Sequence, residues 1–418
     1  MRLLHKLNES TFAKNVSVLV GGTALSQLIA IIALPILTRI FSPEDFSVLA
    51  IFASSLALVS VVSCLRLEIA IPIPRYENVA TRLVILSLLG LILVTTSVTV
   101  GVVVLNIYPD NIITSKLGGY LWFLPIAVLI VGLFNTAQFW ATRRKKFKVI
   151  SVTRIFQSLA GVSTQLILGI FSLKATGLVL GHVVQGGAGA VKLGRLLFLD
   201  IHGRYKLFNI LRLKATLRRF KRFVTYSSIE ALSNNAAIHL PVILIATYAA
   251  GPVAGFLLLS IKLLSAPMSL VGSAVGQVYL SEAPKKRELG LLFKFTFDTT
   301  KKLVKLAIIP MLIICVLSPY VIPFIFGEKW HPAGVYISWM TPWFFMQFIV
   351  SPISMSLHIC NAQKIAMLLQ IFGVIFRCGL VLFSFHALPN YVVEVFALSG
   401  FVFYLLYLVI VLRVVSRF

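Results

Sequence analysis

The sequence predicts an all-α integral membrane protein of about 12 transmembrane helices in two six-helix lobes with pseudo-twofold symmetry, both termini cytoplasmic. Three observations carry this expectation. The 418 residues are 59% hydrophobic and 12% charged, with a mean hydropathy of +0.97, whereas soluble domains run at about 45–50% and about 25%. Twelve stretches are apolar over the roughly 20 residues a helix needs to cross the hydrocarbon core. Lysine and arginine, finally, fall almost wholly on one side of those stretches.

The spans are expected at 16–37, 46–65, 83–105, 120–141, 149–171, 175–197, 224–248, 253–279, 303–326, 336–357, 365–385 and 391–412. The first follows Arg2, Lys6 and Lys14, has no A-x-A site, and at 22 residues exceeds a signal-peptide core, so it is expected to stay as a helix. With the N-terminus inside, the segments facing the cytoplasm hold 31 of the 38 Lys and Arg residues, and the outward loops hold only Arg39, Lys116, Lys174 and Lys329. An asymmetry this strong sets the orientation. It also accounts for most of the net charge of +25, which is topology and not a sign of nucleic acid. The four cysteines lie in apolar stretches without CxxC spacing, so neither a disulfide framework nor a metal site is indicated.

The longest cytoplasmic connection divides the chain into 1–200, a basic linker at 201–222 and 223–418. Lys206–Arg212 and Leu217–Arg222 alternate basic and apolar residues. They read either as an interfacial amphipathic helix or as a solvated linker whose charges set topology. The two halves echo one another faintly: Leu34-Pro35-Ile36-Leu37 resembles Leu240-Pro241-Val242-Ile243 about half a chain later. Parallel repeats with six spans each would keep the same orientation.

Three cations, Arg154, Lys262 and Arg377, fall inside spans. Each costs about 2.5–3.5 kcal/mol near the membrane centre and needs compensation. Helical periodicity places Lys262 with Gly255, Ser265, Ala266, Ser269, Ser273 and Gly276, about 14 Å deep at 1.5 Å per residue. Arg377 shares a face with Gln363, Gln370, Gly373 and Ser384, and Arg154 with Gln157, Ser158, Gly161 and Gln165. Arg154 starts only five residues into its span and also reads as a snorkelling anchor. The acids available are few. Glu230 lies in the cytoplasmic third of the seventh span beside Asn234, one turn on; Glu68 follows Arg66 at the inner end of the second. Positive charge therefore remains in the bundle, which favours an anionic ligand. His182 and His239 are read as helix-packing residues or as proton-coupling sites. No P-loop, GxSxG, HExxH or acidic loop cluster points to an enzyme, and no outward loop has room for a catalytic domain.

Several segments then resemble a known family. Gly21-Gly22-Thr23-Ala24-Leu25-Ser26-Gln27, Leu34–Arg39, Ser42–Phe46 and Leu65–Pro72 are similar to the opening of the polysaccharide-transporter family, the O-antigen-type oligosaccharide flippases of the multidrug/oligosaccharidyl-lipid/polysaccharide superfamily. Leu264–Pro267, Gly272–Val278 and Phe326–Trp330 continue the resemblance. It implies a flippase of the bacterial inner membrane that is not an enzyme. Its substrate would be an undecaprenyl-diphosphate-linked oligosaccharide, turned from the cytoplasmic to the periplasmic leaflet by alternating access. No cofactor is implied; coupling to a proton or sodium gradient is left open, with Glu230, Glu68 and His239 as ion-coupling positions. Membrane lipids are implied partners, and other polysaccharide-assembly proteins are left open. Lys262, Arg377, Arg154, Arg66, Glu230, Asn234 and Gln370 would line the substrate site. At Lys262 the family often has arginine, and lysine lacks its bidentate phosphate geometry. Two alternatives stay open: a cation-coupled multidrug exporter of the same superfamily, and a membrane glycosyltransferase or polymerase.

Overall fold

The computed structural model describes residues 2–108, 112–201, 209–249, 251–267 and 271–417. It is 89% helical, with no strand among the described residues. In chain order the helices are α1 (Arg2–Ile40), α2 (Pro43–Ser60), α3 (Glu77–Ile107), α4 (Ile112–Leu117), α5 (Phe123–Arg143), α6 (Phe147–Ile170), α7 (Lys174–Gly187), α8 (Ala190–Ile201), α9 (Ile210–Arg219), α10 (Ser228–Tyr248), α11 (Val253–Pro267), α12 (Ser273–Glu288), α13 (Leu292–Phe326), α14 (His331–Ile353), α15 (Ser356–Ile359), α16 (Gln363–Ala387) and α17 (Val392–Val415). Each of the 12 expected spans contains helix among the described residues.

Eight described helical segments are long and apolar enough to cross a membrane unaided: those built on α1, α2, α3, α5, α10, α13, α16 and α17. The other four spans are α6, α7 with α8, α11 with α12, and α14. These carry much of the polar stripe or are broken. The stretch expected as one helix over 175–197 divides at Ala188-Gly189. The run Gly186-Gly187-Ala188-Gly189 has low helix propensity and lets neighbours come close. A Cβ on Gly187 would lie 2.0 Å from the Ile130 side chain, and one on Gly189 1.7 Å from that of Thr153. Over the stretch expected at 253–279, α11 is described to Pro267 and α12 from Ser273, with residues 268–270 outside the described residues. Ser269 lies outside the described residues.

The chain forms two compact units, residues 1–33 with 52–232 and residues 34–51 with 233–418. The boundaries fall inside α1, α2 and α10: the outer end of α1 and the start of α2 go with the second unit, and the start of α10 with the first.

In the first unit the cytoplasmic ends are tied by side chains. Arg144 on α5 reaches both Glu77 on α3 and Asp200 on α8, and Trp140 Nε1 donates to the same Asp200 carboxylate at 2.9 Å. Arg143 holds the turn after α2 by donating to the Pro74 carbonyl at 2.6 Å. Helix α9 begins on an Asn209 cap whose side chain accepts from the Leu211 and Arg212 amides, as an N-cap should. It buries Leu213 and Thr216, with Phe220 just beyond its end, against α3 and Trp140 and leaves Ile210 and Leu211 exposed. Residues 202–208 of the proposed amphipathic linker lie outside the described residues.

In the second unit, α2 and α11 meet at Gly255, whose amide donates to Ser47 Oγ at 2.8 Å. A Cβ there would sit 2.0 Å from the Pro43 carbonyl oxygen, so the approach requires glycine. The prolines of the internal echo, Pro35 and Pro241, both lie inside helices. Helix α13 ends at Gly327, whose φ of +103° few other residues adopt.

Candidate functional site

The polar stripe on α6 is consumed by helix packing within the first unit. Gly22 on α1 faces Ser151; one turn on, Arg154 Nη1 donates to Thr23 Oγ1 at 3.2 Å, and Ser158 Oγ donates to the Ser26 carbonyl at 2.7 Å. Thr23 in turn donates to the Leu19 carbonyl. Farther along the same face, α6 meets α7 through Gly161 and Gly181, where Gln157 and Gln165 donate to the Gly186 and Leu178 carbonyls. Small residues and interhelical hydrogen bonds are how helices associate in lipid. Gly21–Gln27 is therefore an α1–α6 contact, and the half-buried Arg154 belongs to it.

Arg377 is enclosed by the second unit. It is 0% exposed, with its guanidinium carbon 4.1 Å from the Trp343 ring centroid on α14 and 4.7 Å from that of Phe396 on α17. Desolvated cation–π contacts of this kind contribute about 2 kcal/mol or more. Among the described residues its Nε and Nη2 have no hydrogen-bond partner, and neither does the Gln370 carbonyl oxygen on the same helix face. Glycines make the enclosure possible: a Cβ on Gly373 would lie 2.6 Å from the Phe403 ring, and one on Gly400 2.4 Å from Trp343. Ser384 is also buried, bonded to its own helix. The α16 stripe thus faces α14 and α17.

Lys262 differs from both arginines. It is half-buried, nine residues from the start of α11. No salt bridge to it is formed among the described residues. Ser265, on its face, bonds the Lys262 carbonyl oxygen and not its ammonium.

A second polar group lies in the first unit just past α2. The chain turns at Leu65 and Arg66, which take φ of +54° and +59°, a conformation unusual for side-chain-bearing residues and concentrated at functional sites. Glu68 is buried, and its Oε2 has no hydrogen-bond partner among the described residues. Burial pushes this carboxyl above the usual glutamate range, with Arg66 opposing the shift. Burial likewise lowers the Arg66 guanidinium, against the pull of Glu68 and Glu230. Arg66 therefore lies in the field of two carboxylates. Glu230 and His239 are half-buried on α10, and Asn234 is exposed.

The sequence reading missed one feature. Thr38–Pro43 and Phe326–Trp330, far apart in the chain, line one cavity of ≈ 440 Å³ in the second unit. Trp330 anchors it: Nε1 donates to the Thr38 carbonyl at 3.1 Å, and the ring stands edge-on to Phe46 at 4.9 Å. Arg39 and Lys329, two of the four outward cations, line it with Glu328. The rarity of outward cations was the signal that could have found it.

Comparison with solved structures shows that the fold of these helices is shared. An inward-facing multidrug-resistance MATE family transporter of the MOP superfamily superposes with a TM-score of 0.60 at 12% identity, covering 96% of this chain and 94% of that one. A Vibrio cholerae MATE transporter gives 0.62 at 10% identity, covering 98% and 97%. A Pyrococcus furiosus MOP superfamily transporter, described as having a binding pocket of reverse polarity, gives 0.59 at 14%, covering 96% and 94%. No curated protein sequence matches the chain. Residues 36–334 match the polysaccharide biosynthesis protein family, and the chain belongs to it.

Proposed function

We propose that the protein is a flippase that carries a polyprenyl-diphosphate-linked oligosaccharide from the cytoplasmic to the outer leaflet of a bacterial inner membrane. The substrate we infer is the undecaprenyl-diphosphate-linked repeat unit of O-antigen or another surface polysaccharide. The observation that carries the reading is Lys262: a half-buried lysine deep along α11 with no salt bridge among the described residues. Such a cation gains most from an anion that arrives and leaves. A diphosphate headgroup supplies that anion while its prenyl chain stays in lipid, and family membership supplies the saccharide context.

Roles follow from exposure. Lys262 contacts the headgroup. Arg377 has no exposed surface and contributes positive potential from behind the aromatic rings, with Gln370 beside it. Arg66 and Glu230 of the first unit receive the headgroup at the cytoplasmic side, and Arg154 acts through the α1–α6 contact. Glu68, with its unpartnered oxygen, is our choice over Glu230 and His239 for coupling to a proton or sodium gradient.

The test is a strain lacking its own flippase, complemented with Lys262→Gln and Lys262→Arg at matched protein levels. The reading expects loss of surface polysaccharide with glutamine and retention with arginine. Normal polysaccharide with Lys262→Gln would overturn the role of this residue. Export of cationic drugs by purified, reconstituted protein without lipid-linked saccharide movement would replace the flippase by a drug exporter.

A further inference from the structure

Helices α12 and α13 of the second unit enclose another cavity, of ≈ 250 Å³. Val278 and Tyr279 come from α12; Phe295, Lys302, Leu303 and Leu306 come from one face of α13. Tyr279 lies flat on Phe295, ring centroids 5.4 Å apart, and its hydroxyl is bonded to Thr296 Oγ1 at 2.7 Å. The hydroxyl is thereby occupied, and the ring adds to a mainly apolar wall. Val278 and Leu306 are 62% and 56% exposed, so the cavity opens sideways. Lys302 is the one charged residue lining it.

The position of Lys302 along the helix sets its depth. It lies one turn before the charge-free stretch 306–326, which spans about 32 Å at 1.5 Å per residue and covers a hydrocarbon core of about 30 Å. Lys302 therefore stands at the headgroup level of the lysine-rich, cytoplasmic side, and Leu303 and Leu306 lie just beneath it. Lys294, Lys301 and Lys305 share the helix; Lys301 is placed over the Phe297 ring at 4.4 Å. Asp298, exposed one turn before Lys302, is the only carboxylate of that stretch. Topology alone explains lysines at this depth, but it does not explain an apolar recess directly below one of them.

We propose that this recess holds an acyl chain of an anionic glycerophospholipid of the inner leaflet, with the Lys302 ammonium on its phosphate. The site is separate from the Lys262 reading and does not depend on it.

The test uses the full chain purified in detergent and titrated with phosphatidylglycerol, with phosphatidylcholine as the neutral comparison and native mass spectrometry counting retained lipid. A lysine near an anionic lipid surface contributes about 1 kcal/mol, or about fivefold. Lys302→Gln should therefore weaken phosphatidylglycerol retention about fivefold, and Lys302→Arg should keep it. Val278→Trp, at an exposed position, should fill the recess and remove the preference, while Lys294→Gln leaves it intact. Equal retention of the two lipids by the native protein, or full retention by both Lys302→Gln and Val278→Trp, overturns the proposal. Displacement of phosphatidylglycerol by an equimolar polyprenyl diphosphate overturns it too, by assigning the recess to the substrate.

Discussion

Arg154 in the first unit and Arg377 in the second are the same side chain in similarly apolar spans, yet their surroundings differ. Arg154 keeps part of its surface and bonds a threonine hydroxyl on α1. Arg377 has lost all contact with solvent and lies over two aromatic rings, two of its donors unpartnered. A charge in a membrane span is thus not by itself a ligand contact. What distinguishes the cases is whether neighbouring helices use the polar atoms up, and it is on that criterion that we propose Lys262, half-buried and with no salt bridge among the described residues, as the ligand contact.

The largest expected effect tests the enclosure of Arg377. Arg377→Ala leaves a void among α14, α16 and α17 and should destabilise by about 2–5 kcal/mol, as large-to-small core changes do. Arg377→Met fills the same space without charge and should recover most of that loss, because replacing a buried charge with an apolar group of similar volume is often neutral or stabilising. Thermal unfolding in detergent reads both. An equal loss in the two variants would mean that charge, and not packing, holds this corner together.

Next comes the α1–α6 seam. Gly22→Ala places a Cβ 1.8 Å from Ser151 Oγ, and overpacking typically costs about 1–3 kcal/mol. Pairing it with Ser151→Gly should restore most of the stability. Thr23→Ala removes one interhelical hydrogen bond and should cost about 0.6 kcal/mol, the average for such bonds between membrane helices. A drop as large as that of Arg377→Ala would make the two arginines alike after all.

A finer contrast is one of pH. The Glu68 carboxyl is raised by burial, so the folded state holds its proton to higher pH than the unfolded state does. Stability from this group is complete below the ordinary glutamate value of about 4.3 and is lost as pH rises through the raised folded value. The unfolding midpoint should therefore fall with rising pH in that window, and Glu68→Gln should flatten the slope. An unchanged slope would place the titration elsewhere.

Much of this fold was legible in the sequence because two of its determinants are one-dimensional. Apolar run length follows from bilayer thickness, and the bias of 31 inward cations against four outward ones follows from insertion. The break at Ala188-Gly189 was less visible, since a run that is apolar throughout hides a local interruption of the helix. The site was harder to read. Helical periodicity grouped Arg154 with Gln157, Ser158 and Gln165 correctly, but a stripe facing another helix and a stripe facing a cavity have the same spacing. Glycines such as Gly161, Gly181, Gly373 and Gly400 carry the distinction, because they mark where another helix comes close. The pocket formed by Arg39 and Lys329 depends on residues nearly 300 positions apart, which periodicity cannot connect.

The central claim is that Lys262 meets the diphosphate of a lipid-linked oligosaccharide. The most direct measurement follows a fluorescent polyprenyl-diphosphate oligosaccharide across liposomes containing the purified protein, comparing native chain, Lys262→Gln and Lys262→Arg, with thermal unfolding as the check on folding. The account predicts movement by the native protein, at least a tenfold slower rate with glutamine at an unchanged unfolding midpoint, and recovery with arginine. Native-rate movement by a well-folded Lys262→Gln protein would contradict it.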